Sequence, residues 1–171
     1  VSYTGNGSAR TISHSLSAVP EWMMIKKISG TDAAAIYNGA NGNTNGLVLD
    51  GTGGNDDETY WNDTTPTSSV FSLGTLSNVN ENTATYIAFL FAPKQGYSSF
   101  GTYIGTGDAD GAYVHLGFKP AWLLIKRVSA SGDQWQLSDT VRGVNGAIKT
   151  LYPDSAEVET YWDGDIEAKG K

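Results

Sequence analysis

The phrase Pro20-Glu21-Trp22-Met23-Met24-Ile25-Lys26-Lys27-Ile28 returns as Pro120-Ala121-Trp122-Leu123-Leu124-Ile125-Lys126-Arg127-Val128. With a repeat this close, whatever fold one segment adopts must also be open to the other. Proline sets an extended entry, and the dense apolar run behind it suits a strand covered on both faces. Period-two alternation places Trp122, Leu124, Lys126 and Val128 on one face and Leu123, Ile125 and Arg127 on the other. The strand thus starts buried and surfaces at its charged end, and both copies are expected as central strands.

The likeness reaches beyond this phrase. Tyr3-Thr4-Gly5-Asn6-Gly7 returns as Tyr103-Ile104-Gly105-Thr106-Gly107, Leu16 as Leu116, and Glu58-Thr59-Tyr60-Trp61 as Glu159-Thr160-Tyr161-Trp162. Residues 1–100 therefore read as a first β repeat and residues 101–171 as a second, incomplete one packed with the first. The second holds no counterpart of residues 70–73 or 85–92. An open sheet edge is expected there, filled by the rest of a longer gene product or by a neighbouring chain.

Short apolar or alternating runs lie between clusters of Gly, Asn, Asp, Ser and Thr. They predict strands at 2–4, 11–13, 22–28, 34–37, 47–49, 70–73, 86–92, 100–104, 112–116, 122–128, 134–137 and 147–151. No stretch carries a 3.6-residue stripe. Many short strands and twenty-one glycines point to an all-β fold. The expected form is an antiparallel β-sandwich, jelly-roll or concanavalin-like, built from the two pseudo-repeats with the second truncated. Residues 85–92, closed by Pro93, form the second candidate core strand.

Composition excludes several function classes. Eighteen acids against eleven bases give a net charge of −7, which repels a phosphate backbone, so nucleic acid is not expected as a partner. The chain has no cysteine, so its stability must come from packing or oligomerisation. No apolar run approaches the roughly 20 residues of a membrane span, and no membrane insertion is expected. Val1 opens without an initiator Met or a signal-like segment, so the chain reads as a processed or partial piece of something longer.

Each candidate site has a plainer alternative. Gly5-Asn6-Gly7 and Gly105-Thr106-Gly107 lack the third glycine and following helix of a dinucleotide loop, and read as turns. Asp108-Ala109-Asp110-Gly111 resembles the opening of a calcium loop, which makes Asp108 and Asp110 the candidate metal ligands and calcium the one cofactor to consider. Its counterpart, Ser8-Ala9-Arg10, sets a cation where the metal would sit, which favours a solvated turn. His14 and His115 fall one position apart in the aligned repeats and read as ordinary strand histidines. Carboxylates such as Asp56 or Glu58 with Glu157 or Glu159 could serve glycoside hydrolysis only at the right separation in space. Tyr60, Trp61, Tyr161 and Trp162 stand beside polar residues, as rings that stack on sugars do. The alternative is that Trp61 and Trp162 plug equivalent ends of the fold. Lys26 and Lys126 recur at one strand position, and are expected to snorkel at a sheet edge or to pair with acids such as Asp139.

A further likeness runs along nearly the whole chain. It rests on Tyr3-Thr4-Gly5-Asn6-Gly7, the two Pro-x-Trp phrases, the run Tyr60-Trp61-Asn62-Asp63-Thr64-Thr65-Pro66, Gly96-Tyr97-Ser98-Ser99-Phe100-Gly101-Thr102-Tyr103, and Gly117-Phe118-Lys119-Pro120. In these the chain resembles an uncharacterised repeat-containing domain of virion structural and tail-fibre-like proteins of tailed bacteriophages. The resemblance implies a β-sandwich on a phage particle, as a fibre, appendage or capsid-surface component, without enzymatic activity and located on the virion, outside the cell. Its expected partners are other copies of itself, other virion proteins and host-surface glycans. A lectin-like adhesion module is the alternative, and a polysaccharide depolymerase a third class. The pattern departs at Ala33-Ala34-Ala35, where an aromatic usually stands, matched here only by Trp135. The family carries no established catalytic or binding residues.

Overall fold

The computed structural model describes residues 1–56, 58–108, 111–142 and 148–162, with the side chains of Ile148, Tyr161 and Trp162 outside that description. Among the described residues the fold is all-β and antiparallel, with one four-residue α-helix and a three-residue 3-10 helix at Gly39–Asn41. Its strands are β1 Ser2–Thr4, β2 Arg10–Ser13, β3 Trp22–Lys27, β4 Ala35–Asn38, β5 Leu47–Val48, β6 Val70–Leu73, β7 Thr85–Phe91, β8 Trp122–Ile125, β9 Gln136–Asp139, β10 Ile148–Leu151 and β11 Thr160–Trp162. Helix α1 spans Ser77–Asn80. They form three sheets: five strands in the order β1-β7-β3-β4-β5, four in the order β11-β10-β9-β8, and the pair β2-β6.

Alternation along β3 explains how these sheets stack. Met23 and Ile25 turn to one face and join Ile12 of β2, Phe71 and Leu73 of β6, and Tyr86 and Ala88 of β7 in the larger core. Trp22 and Met24 turn to the other face. There, with Ile36 and Leu47, they meet Leu124, Val128 and Trp135 of the second half of the chain. The five-stranded sheet therefore packs on one side against residues of the β2-β6 pair and on the other against Leu124 of β8 and Val128 and Trp135 of the segment between β8 and β9. Around the larger core, Asn80 is buried and donates to the Ser8 and Gly74 carbonyls at 2.7 and 2.8 Å, while its Oδ1 accepts from the Asn6 N–H. One amide thereby satisfies three backbone groups, of which the Gly74 carbonyl is buried.

The two Pro-x-Trp segments pair alike on one side. Trp22 lies opposite Asn38 and Met24 opposite Ile36, and Trp122 lies opposite Asp139 and Leu124 opposite Leu137. Their other sides differ. β3 pairs with β7 over six positions, from Trp22 opposite Phe91 to Lys27 opposite Tyr86. Among the described residues β8 is the last strand of its sheet. The expectation that both copies are central strands therefore holds for β3 and fails for β8.

The same cause corrects two predicted strands. Residues 100–104 and 112–116 have no regular structure, although the segments they match, β1 and β2, are strands. β1 pairs with β7 and β2 with β6, and the sequence supplies no second copy of β6 or β7. A backbone without a ladder partner does not hold a strand, whatever its side-chain propensity.

Candidate functional site

Tyr60 and Trp61 stand in the larger core. Trp61 is 0% exposed, meets Tyr37 edge-on at 5.4 Å, and donates its indole N–H to the Asn45 carbonyl at 3.1 Å. Tyr60 covers Gly46, where a Cβ would come within 2.2 Å of the ring, so that position has room for glycine alone. Burial pushes the Tyr60 hydroxyl above the usual tyrosine range. Neither ring offers a free face to a sugar, and Trp61 is enclosed in the larger core. The side chains of Tyr161 and Trp162 lie outside the described ones.

Asp108 sits in an exposed turn, where its carbonyl accepts from the Gly111 N–H at 3.0 Å. Asp110 lies outside the described residues. Among those described, no group of three His, Cys, Asp or Glu gathers as metal ligands would. His14 sits against Phe71 and bonds to the Thr67 carbonyl, and His115 contacts Tyr113. Glu159 is ion-paired to Arg142 at 3.0 Å and Lys149 at 3.2 Å, and hydrogen bonds from Lys149 and then Arg142 hold its carboxyl below the usual range.

The recurring cations brace loops. Lys26 donates to the Asp32 carbonyl and Lys126 to the Asp133 carbonyl, while Lys27 pairs with the Asp32 carboxylate and Arg127 with that of Asp133. Lys27 also pairs with Glu81, and bonds to Asp32 and Glu81 hold its ammonium above the usual lysine range. The pairing of Lys126 with Asp139 does not form. Asp139 accepts instead from the N–H groups of Arg142 and Val141, and pairs with the Arg142 guanidinium at 2.7 Å.

The structure brings together a different set of residues. A cleft of about 890 Å³ opens between the five-stranded sheet and the second half of the chain, lined among others by Trp22, Asn38, Tyr103, Lys126, Trp135 and Gln136. Trp135 anchors it: the ring is buried against Ile36 and Leu47, and its indole N–H donates to the Val48 carbonyl at 2.8 Å. Its backbone N–H donates to the Asp154 carboxylate, at 3.1 Å to one oxygen and 3.2 Å to the other. Gly54 allows the close approach alongside, since a Cβ there would stand 2.9 Å from the Ala130 carbonyl oxygen. Burial lowers the Lys126 pKa. Indole and phenol rings beside amides can hold a polar ligand, and the charged residues of the lining, Lys126, Arg127 and Asp133, are bonded to one another. The sequence signal for this cleft was Trp135, an aromatic in a polar loop. Nothing in the sequence tied it to Trp22 or Tyr103.

A family model for a domain of unknown function, DUF7483, matches residues 1–170. The chain belongs to this family. No curated protein matches this DUF7483 chain. No solved structure matches it either. No helix among the described residues is long and apolar enough to cross a membrane.

Proposed function

We propose that this DUF7483 domain is a non-enzymatic assembly module of the tailed-phage virion type, a two-repeat β-sandwich acting through many weak contacts with copies of itself and with other virion proteins. The observation that carries the reading is the exposure of many large apolar side chains. Phe89 and Phe91 of β7 are 41% and 46% exposed, Trp122 is 56% exposed, and Tyr97, Tyr103, Ile104 and Tyr113 between them are exposed as well. A single exposed apolar residue is ordinary on a surface, but this many large aromatic side chains in contact with solvent suit a protein that meets other chains. The recurrent sequence, the like pairing of β3 with β4 and of β8 with β9, and the recurrent loop braces support the repeat. The sequence resemblance supports the setting. On a particle that displays many copies, weak contacts sum to high avidity without a deep pocket.

Purified protein is expected to form a homo-oligomer. Light scattering across a concentration series should show it, and strictly monomeric protein at high concentration would contradict the reading. The cleft at Trp135 favours one alternative, a glycan-binding adhesion module, because it joins ring faces to amide groups. Glycan binding lost in Tyr103→Ala with the oligomer intact would move the assignment there.

A further inference from the structure

Among the described residues the outward edge of β8 carries no partner strand. The Thr140 N–H donates to the Ala121 carbonyl at 3.0 Å. In an antiparallel ladder bonded and non-bonded pairs alternate, so Ala121, Leu123 and Ile125 turn their N–H and C=O groups toward β9. Those of Trp122 and Leu124 then point to the other edge. Among the described residues no backbone hydrogen bond reaches them there.

β3 supplies the template for the occupant. The Gly39 N–H donates to the Glu21 carbonyl, as Thr140 does to Ala121, and the Ile28 N–H donates to the Thr85 carbonyl. Trp22, Met24 and Lys26 thus present their backbone groups to β7, opposite Phe91, Phe89 and Ile87. The Trp22 ring meets Phe91 edge-on at 5.4 Å, whereas Trp122, at the same place in the repeated phrase, is more than half exposed.

We infer that the free edge of β8 accepts, antiparallel, an extended strand of β7 character from a neighbouring polypeptide, with bulky apolar residues at alternate positions and an aromatic seated against Trp122. This deepens the assembly reading and rests on it for the source of the strand. The mode is β-augmentation: main-chain bonds provide attachment, and the Trp122 contact fixes register. An open edge left bare would pair indiscriminately, and nothing in β8, such as an inward charge or a proline, blunts it.

The test is a calorimetric titration of the whole chain with a synthetic peptide of residues 84–92 carrying added lysines for solubility. Saturable one-to-one binding is expected. In β7 the odd residues face β3 and the even ones face β1, as the Ala88 N–H to Val1 carbonyl bond shows. N-methylation at Ile87 and Phe89 should therefore weaken binding by about tenfold or more, while N-methylation at Ala88 and Leu90 should change it about twofold at most. Trp122→Pro, which removes an outward N–H at an edge position, should abolish binding. Equal binding of the two methylated peptides, equal binding of a scrambled peptide, or no saturable binding would overturn the inference. So would a peptide-free dimer that Trp122→Pro converts to monomer, since a second copy's β8 would then be the occupant. No saturable peptide binding to the unaltered chain, together with an oligomer that survives Trp122→Pro, would overturn this inference and leave the assembly reading standing.

Discussion

Trp61→Ala is expected to lower the unfolding free energy by about 3–5 kcal/mol, close to the whole stability of a marginal domain. The indole is enclosed by Tyr37, Tyr60 and the rest of the larger core, and its N–H satisfies the Asn45 carbonyl. Truncation therefore leaves a ring-sized cavity and an unpaired acceptor. Urea denaturation followed by circular dichroism measures the loss. A cost below about 1 kcal/mol would mean that the ring is not the keystone it is taken to be.

Trp135→Ala is expected to cost about 3 kcal/mol through the same mechanism, but in a different place. Its ring joins the β8–β11 region to Ile36 and Leu47 on the five-stranded sheet, and the Val48 bond adds direction. Amide spectra should show residues 122–142 losing dispersion while signals of Ile12, Phe71 and Leu73 persist, because the larger core does not include Trp135. Trp135→Phe keeps most of the packing and gives up the hydrogen bond, so it should cost only about 1 kcal/mol. Uniform unfolding of both regions in Trp135→Ala would contradict the division into two cores.

Much of the strand pattern was legible because alternation and turn residues are local signals. Residues 22–28 and 70–73 fell close to β3 and β6 for that reason. What local signals do not carry is the partner. Residues 100–104 have the composition of a strand and no ladder to join, and β8 has the sequence of a central strand at the end of a sheet. The sites misled in a related way. Tyr60-Trp61 looked like a sugar platform because polar neighbours surround it in sequence, yet Gly46 and Asn45, well upstream, close over the pair. The cleft depends on Trp22 of β3 and on Tyr103 and Trp135, which lie outside the strands, lining one space. No spacing rule announces such a meeting, and the three-way role of Asn80 was equally silent.

At the centre of the account are two strands of nearly one sequence, β3 sealed on both sides and β8 sealed on one. Residue-resolved amide exchange in protein dilute enough to be monomeric tests this most directly. The outward amides of Trp122 and Leu124 should exchange at least about a hundredfold faster than those of Trp22 and Met24, while Leu123 and Ile125 stay protected by β9. Equal protection of all four outward amides would contradict the open edge and, with it, the proposed means of assembly.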